Sequence, residues 1–423
     1  MRIAFIMYQG NRYSGGQGIY TYYLTRELAR LGHEVHVIAG PPYPETDDSV
    51  ICHNVRTHSY WSHFHNKRDF IFYRHPLSHF EPVNLYELVS TRIALSSLLL
   101  TFSMRAYLEV KRLSQEQPFD IVHDNQTLSY GILLMKTLGC PVVATLHHPL
   151  SVDLRNSILQ SRSLYERARR ILWYPWIMQE VTARRMDRII TVSDATTNAV
   201  ERMFHVPRSL MTRIHNGIDT ETFRPLDDVE ELPDTILFNS NSEDRNKGAR
   251  YLFEALHLLR DEDVPFRLVI IDNDKKSLKL APELVRKYGL STQTTFIERV
   301  STEELVRYYN RATIVVSPSL YEGFGLPAAE AMSCGRAVLA TTAPAFPEVI
   351  DHGETGWLAP PADGPALAAA IRTLLGDADL RRRLGRAARR SILERFNWRK
   401  NALEVVQVYE DVIARRKELS HAG

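Results

Sequence analysis

Cysteine is scarce in this chain: Cys52, Cys140 and Cys334 are the only three in 423 residues, widely separated and in no C-x-x-C pair. Neither a disulfide framework nor a cysteine zinc site is encoded, and a reducing, cytoplasmic setting is expected. A long apolar run is also lacking. The most apolar stretch, residues 93–104, is interrupted by serines and a threonine and is too short to span a bilayer. Residues 1–8 read as a short strand and not as a targeting leader. An excess of one charge is missing too: 52 Lys and Arg stand against 50 Asp and Glu, which excludes nucleic acid as the default partner. Internal repeats and low-complexity tracts are not apparent.

What is present is apolar residue in quantity, 44% of the chain, enough for two or three ordinary domains. The balanced charge hides an asymmetry. Residues 1–215 carry 24 basic and 18 acidic residues and 13 of the 16 histidines, whereas residues 216–423 carry 28 basic and 32 acidic. Short β-branched runs at 3–7, 35–39, 121–123, 142–146 and 189–192 alternate with helical spacing. After His215-Asn216-Gly217-Ile218-Asp219 a second series follows, at 236–239, 266–272, 294–297, 314–317 and 337–340. Such alternation predicts parallel sheets covered on both faces, hence an α/β protein of two doubly wound, Rossmann-like domains facing across a cleft. The expected boundaries are 1–212 for an acceptor domain, 213–397 for a donor domain, and 398–423 for a last helix packing back on the first domain. Residues 52–84, rich in His, Tyr, Phe and Trp and without a clean period, read as an inserted loop region shaping the cleft.

The most informative segment runs from Ser317 through Pro318, Tyr321, Glu322, Gly323, Phe324, Gly325, Leu326 and Pro327 to Glu330. A strand end, a glycine-rich turn and a proline in the first turn of a helix present bare amides that cradle a diphosphate. Glu330, one turn inside, is placed to accept two hydroxyl hydrogen bonds from a ribose. A helix start that merely favours acidic residues is the plainer alternative.

The spacing Glu322-x7-Glu330 around Gly-Phe-Gly-Leu-Pro resembles the E-x7-E signature of the family-four retaining glycosyltransferases, which have the GT-B fold. The resemblance extends in order along most of the chain: Gly15-Gly16, Thr145-Leu146-His147, Ile190-Thr191-Val192-Ser193, Asn216-Gly217-Ile218-Asp219, Lys247-Gly248, Pro347-Glu348-Val349-Ile350 and Gly353-x-x-Gly356. It implies a retaining, nucleotide-sugar-dependent hexosyltransferase of glycan biosynthesis. The donor is of UDP or GDP type, and no metal or other cofactor is needed. Glu330 is then expected to hold the ribose, Glu322 a hydroxyl of the transferred sugar, and Lys247 the diphosphate. Gly16 lets the first loop close over the phosphates, His147 hydrogen-bonds the donor sugar, and the backbone near Arg299 and Val300 meets the base. Gly323, Phe324, Gly325 and Leu326 complete the donor loop.

Two departures from the family pattern stand out. The arginine usual a few residues before Lys-Gly is missing, and either Arg245 or Asn241 is left to replace it. Asp272-Asn273-Asp274 has the form of a metal-binding D-x-D, but at a strand end in a nucleotide-binding domain it reads as a polar turn. His147-His148 reads as hydrogen bonding in the cleft, since neighbours on an extended segment point apart. Ser193 sits in no G-x-S-x-G elbow, and the opening glycines do not form G-x-G-x-x-G. Two rival functions remain: a nucleotide-sugar 2-epimerase of the same build, and a non-catalytic sugar-nucleotide-binding protein. Residues 155–188 hold eight arginines and three acids beside Trp173 and Trp176. They read first as an ordinary amphipathic helix, and second as a basic, aromatic surface for the inner membrane face or a lipid-linked acceptor.

Overall fold

The computed structural model describes residues 1–10, 16–56, 82–92, 98–149, 158, 163–165, 167, 176–272 and 278–421. The aromatic stretch at 60–80 and nearly all of the arginine-rich stretch at 155–175 lie outside the described residues, as do Gly15 and Asp274. The chain divides into two compact units. One comprises Met1–Ile214 with Asn401–Gly423, the other His215–Lys400.

The first unit is built on a parallel seven-stranded sheet: β1 (Arg2–Met7), β2 (Glu34–Ala39), β3 (Ile51–Asn54), β4 (Ile121–Asn125), β5 (Val142–Leu146), β6 (Arg188–Thr191) and β7 (Met211–Arg213), in the order β3-β2-β1-β4-β5-β6-β7. Strands β1, β4 and β5 are buried along their whole length, which is why they read as unbroken apolar runs and not as alternations. The helix Leu98–Glu116 turns Leu99, Phe102, Ala106, Val110 and Leu113 inward at three- and four-residue spacing. Gly131 lets the helix Tyr130–Met135 pack tightly on it, because a Cβ at that position would lie 2.3 Å from the carbonyl carbon of Ser103.

The second unit carries a parallel six-stranded sheet: β8 (Thr235–Asn239), β9 (Arg267–Ile271), β10 (Thr294–Ile297), β11 (Ile314–Ser317), β12 (Ala337–Thr341) and β13 (Trp357–Ala359), in the order β10-β9-β8-β11-β12-β13. Its core joins Ile236, Phe238 and Leu268 from the sheet to Leu252, Leu256, Leu367 and Ile371 from the covering helices. Each sheet reverses its order once, between β1 and β4 in the first unit and between β8 and β11 in the second. Ligands of open α/β sheets bind outside the carboxyl ends of the strands at such points.

Three strands escape the sequence reading. β3 is an edge strand with exposed Ile51, Cys52 and Asn54, so the stretch read as inserted loop begins with a strand and ends in the helix Pro82–Arg92. β7 and β13 have three residues each, too few to show a period. Among the described residues no helix is long and apolar enough to cross a membrane.

The last helix, Trp398–His421, contributes most of its length to the first unit. Its Tyr409 is fully buried and shares a hydrogen bond with Nδ1 of His123, while Arg416 donates to the Cys140 carbonyl at 3.0 Å. Burial holds the His123 imidazole down at a pKa of about 3, so it is neutral at physiological pH. Tyr409→Phe strands a buried ring nitrogen, and the expected loss is about 1–3 kcal/mol. A fall of several degrees in the melting temperature of the first unit checks this; an unchanged melt contradicts it.

Candidate active site

The two loops that leave β8 and β11 meet at the switch point of the second sheet. The first makes a single 3-10 turn, Arg245–Lys247, capped by the Asp244 carboxylate, which accepts from the Asn246 amide. It ends at Gly248, whose φ of +67° lies in the left-handed region. A Cβ there would stand 1.9 Å from the Pro318 carbonyl oxygen, so only glycine allows this approach. The Leu320 amide donates back to the Asn246 carbonyl at 2.6 Å, and the Thr341 hydroxyl at the end of β12 donates to the Ser319 carbonyl.

The joined loops place Lys247 Nζ 2.9 Å from Oε1 of Glu322, and the Ser319 hydroxyl donates to the same oxygen at 2.8 Å. Both side chains are largely shielded, at 25% and 12% exposure. Glu322 is thereby held in one orientation at the mouth of the loop. The helix Leu326–Ser333 follows, started by Gly325 at φ +91° with Pro327 in its first turn. Its Glu330 is 7% exposed, and Oε2 accepts the Tyr309 hydroxyl at 2.9 Å; Tyr309 in turn accepts from Nδ2 of Asn239 at 2.8 Å. Burial raises the Glu330 carboxyl to about 7, with the Tyr309 hydrogen bond opposing it.

The remaining residues expected at the donor side fall as follows. Gly323 and Leu326 flank the loop and are partly exposed, whereas the Phe324 ring is buried against Phe396, with centroids 5.6 Å apart. Arg299 and Val300 follow β10 just before the helix Thr302–Arg311, Arg299 exposed. Asn241 is exposed and its side-chain oxygen accepts from the Glu243 amide. Arg245 is exposed on the 3-10 turn. Asp272 accepts the Ser242 amide at 2.7 Å, so its carboxylate braces the loop that carries Lys247. Among the described residues no group of three metal-binding side chains exists.

In the first unit, Gly16 opens the helix Gly16–Arg30 after β1, and His147 lies beyond β5. The His147 ring meets Asn125 Oδ1 through Nε2 at 2.8 Å. Asn125 spends its own amide on Thr21 Oγ1 and the Gln17 carbonyl, so its oxygen must accept. Nε2 of His147 therefore carries the proton and Nδ1 is the acceptor. Burial lowers the His147 pKa to about 3, and His148 pushes the same way. The loop after β4 clamps this arrangement: Gln126, at φ +59°, accepts from the amides of both His147 and His148, while Asp124 takes the amides of Thr127 and Leu128.

Sequence reasoning did not single out Tyr309, Asn239, Ser319, Asn125 or Gln126. Polar residues that close apolar strands, as in Asp124-Asn125-Gln126 and at Asn239, were the available signal. Tyr309 had none, because its helical spacing also suits the core.

Residues 14–81 and 73–222 match the model of Glycosyltransferase Family 4, and residues 226–391 match that of Glycosyl transferases group 1. A protein named MMP alpha-(1->4)-mannosyltransferase from Mycolicibacterium hassiacum is 36% identical over 420 residues, 98% of this chain and 99% of that one. The chain is a family-4 glycosyltransferase of the GT-B fold. Its class of reaction is transfer of a sugar from a nucleotide-sugar donor to an acceptor. A D-inositol 3-phosphate glycosyltransferase from Saccharomonospora viridis is 25% identical, over 96% of this chain and 91% of its own. In fold, the glycosyltransferase is similar to sucrose-phosphate synthase from Thermosynechococcus elongatus, with a TM-score of 0.73 at 24% identity over 98% and 99% of the two chains. It is also similar to Anabaena HepE crystallised with UDP-glucose, with a TM-score of 0.67 at 17% identity over 97% and 100%.

Two outcomes follow from the site of this glycosyltransferase. In the donor-binding role proposed below, an ionised Glu330 accepts ligand hydroxyls better than a neutral one, so nucleotide-sugar affinity is expected to fall as pH drops below about 7, approaching about tenfold per unit. Glu330→Gln should flatten that dependence, and Tyr309→Phe should move its midpoint upward, since the phenol favours the carboxylate. Calorimetric titration across this range measures both. Gly248→Ala forces the two loops apart, and both a lower melting temperature of the second unit and a fall in turnover of at least about tenfold in the protein that stays folded are expected. Full activity in that variant would show that the contact does not set the Lys247 position.

Proposed function

We propose that this glycosyltransferase moves an α-linked hexose, mannose foremost, from a uridine or guanosine diphosphate donor to a glycan hydroxyl, with retention of the anomeric configuration and without a divalent ion. The observation that carries the reading is the cluster at the switch point of the second sheet, where a shielded lysine, an oriented carboxylate and a buried carboxylate converge at a helix start. Glu330 is the ribose partner in this reading, and Glu322 a partner for a hydroxyl of the transferred sugar. Carboxylates suit vicinal hydroxyls because each oxygen accepts a charge-assisted bond. Lys247 and the amides that open the helix Leu326–Ser333 supply counter-charge to the departing diphosphate.

The reaction needs no protein nucleophile. The bond from the anomeric carbon to the diphosphate breaks while the acceptor oxygen bonds to the same face, and the acceptor proton passes to a diphosphate oxygen. Lys247, initially paired with Glu322, shifts its charge toward the leaving group as negative charge builds there. Donor recognition is assigned to the second unit and acceptor recognition to the first. Mannose is preferred because the relative sharing 36% identity over nearly the full length is named as an α-(1→4)-mannosyltransferase. An α-linked product from an α-linked donor is what retention yields.

A panel of nucleotide sugars with a mannoside acceptor tests the reading. GDP- or UDP-hexose should be consumed only with acceptor present, the product should be the α-anomer by NMR, and EDTA should leave the rate unchanged. Lys247→Ala should lower kcat by about a hundredfold with a smaller change in donor affinity. A β-linked product removes retention; loss of activity in EDTA with rescue by manganese removes metal independence.

A further inference from the structure

We propose that the second unit holds a separate anion site that takes a small phosphorylated molecule, a phosphomonoester or inorganic phosphate, in an arginine-lined recess at the amino ends of β11 and β12. The recess measures about 230 Å³, and among its walls are Arg336, Arg381, Arg382, Arg386 and Glu231. Thr313 and Ala337, also at its edge, stand at the start of β11 and β12. Ser317 and Thr341, on the Glu322 side, close those strands. A strand of four or five residues separates the two ends by roughly 10–13 Å, so the recess is not part of the switch-point cluster.

Four guanidinium groups face one carboxylate here. Glu231 accepts from Arg336 Nη1 at 2.8 Å and lies 3.7 Å from Arg381 Nη2. Arg381 spends Nη1 on the carbonyls of Leu374 and Leu375, so it serves mainly to tie two helices together. The charge left over sits on Arg382 and Arg386, one turn apart on the same face of the helix Ala378–Arg395. Arg382 touches only the highly exposed Asp379, and Arg386 has no acidic partner among the described residues. Nε of Arg336 is enclosed by protein and has no hydrogen-bond partner among the described residues, so Arg336 meets the recess through its guanidinium charge, which it shares with Glu231.

The chemistry selects the ligand class. Planar guanidinium forks match the oxygens of a phosphate dianion, and a recess of about 230 Å³ accommodates a phosphate or a sugar phosphate. The approach of the helix is itself engineered by glycine. A Cβ on Gly385 would lie 2.1 Å from the Gly335 carbonyl oxygen, so Gly335, Arg336 and the arginines of the helix are held close together. The Arg336 amide donates to the Ala331 carbonyl at 3.1 Å, and an occupant therefore abuts the turn that ends the helix bearing Glu330.

Calorimetric titration of inorganic phosphate and glucose 6-phosphate decides it. Protein carrying Lys247→Ala and Arg245→Ala is used, so that the basic phosphate candidates at the switch point are removed. Saturable binding with a Kd below about 1 mM is expected, weakened at least about tenfold when Arg382→Ala and Arg386→Ala are added. Both arginines are exposed, and an unchanged melting curve verifies the fold. Absence of saturable binding up to about 10 mM, or equal affinity in the arginine variants, overturns the site. Sedimentation with phosphatidic acid vesicles separates the sources of the phosphate group. Arginine-dependent vesicle binding without binding of the free anions overturns the assignment to a small soluble ligand.

Discussion

The close approach of two backbones, Gly248 against the carbonyl of Pro318, is the constraint on which the second unit's chemistry rests. It is possible because Gly248 has no side chain and occupies a left-handed conformation. Once the loops after β8 and β11 touch, a lysine from one and a glutamate from the other stand at hydrogen-bond distance. Ser319, Thr341, Asp272 and Asp244 then remove the slack, each taking or giving a hydrogen bond to a loop that would otherwise be free to move. Positioning of this kind lets a site act without reorganising at the moment of reaction.

Burial is the second theme, and it acts with opposite sign on the two units. In the second it raises the Glu330 carboxyl towards neutrality, so that Tyr309 and Asn239 are needed to orient and partly stabilise its charge. In the first it keeps His123 and His147 uncharged, and the polar cluster of Tyr20, Thr145, Asn125 and Tyr409 satisfies their ring nitrogens or neighbours. Buried polar groups are tolerable only when hydrogen-bonded, so both clusters tie site residues to secondary structure on several sides. The last helix enters this bookkeeping directly through Tyr409.

The GT-B fold by itself does not name a reaction, since doubly wound domains host many activities. What narrows the reading is the chemistry at the switch points: a cation and two carboxylates beside open amides in one unit, and a neutral imidazole fixed in one tautomer in the other. The arginine recess lies at the opposite end of the same sheet, where no group of the transfer reaction is needed.

Much of this was decided by the sequence alone. Short apolar and β-branched runs separated by helical spacing specify parallel strands, most of them buried on both faces, and ten of the thirteen strands among the described residues are readable for that reason. Glu322, Glu330 and Lys247-Gly248 stand out in the sequence through the resemblance of their motifs to the family signature, since a glycine-rich turn before a helix start also suits acidic residues for purely local reasons. Tertiary structure alone decided the rest. Whether Lys247 reaches Glu322, whether Tyr309 turns its hydroxyl to Glu330, and which nitrogen of His147 bears the proton depend on strands far apart in the chain being neighbours in the sheet. Residues 239, 309 and 330 share no local period, so their hydrogen-bonded line exists only once β8 and β11 are side by side. The pKa shifts follow the same rule: desolvation is a property of the packed environment, and a residue's identity carries no information about how much water will surround it.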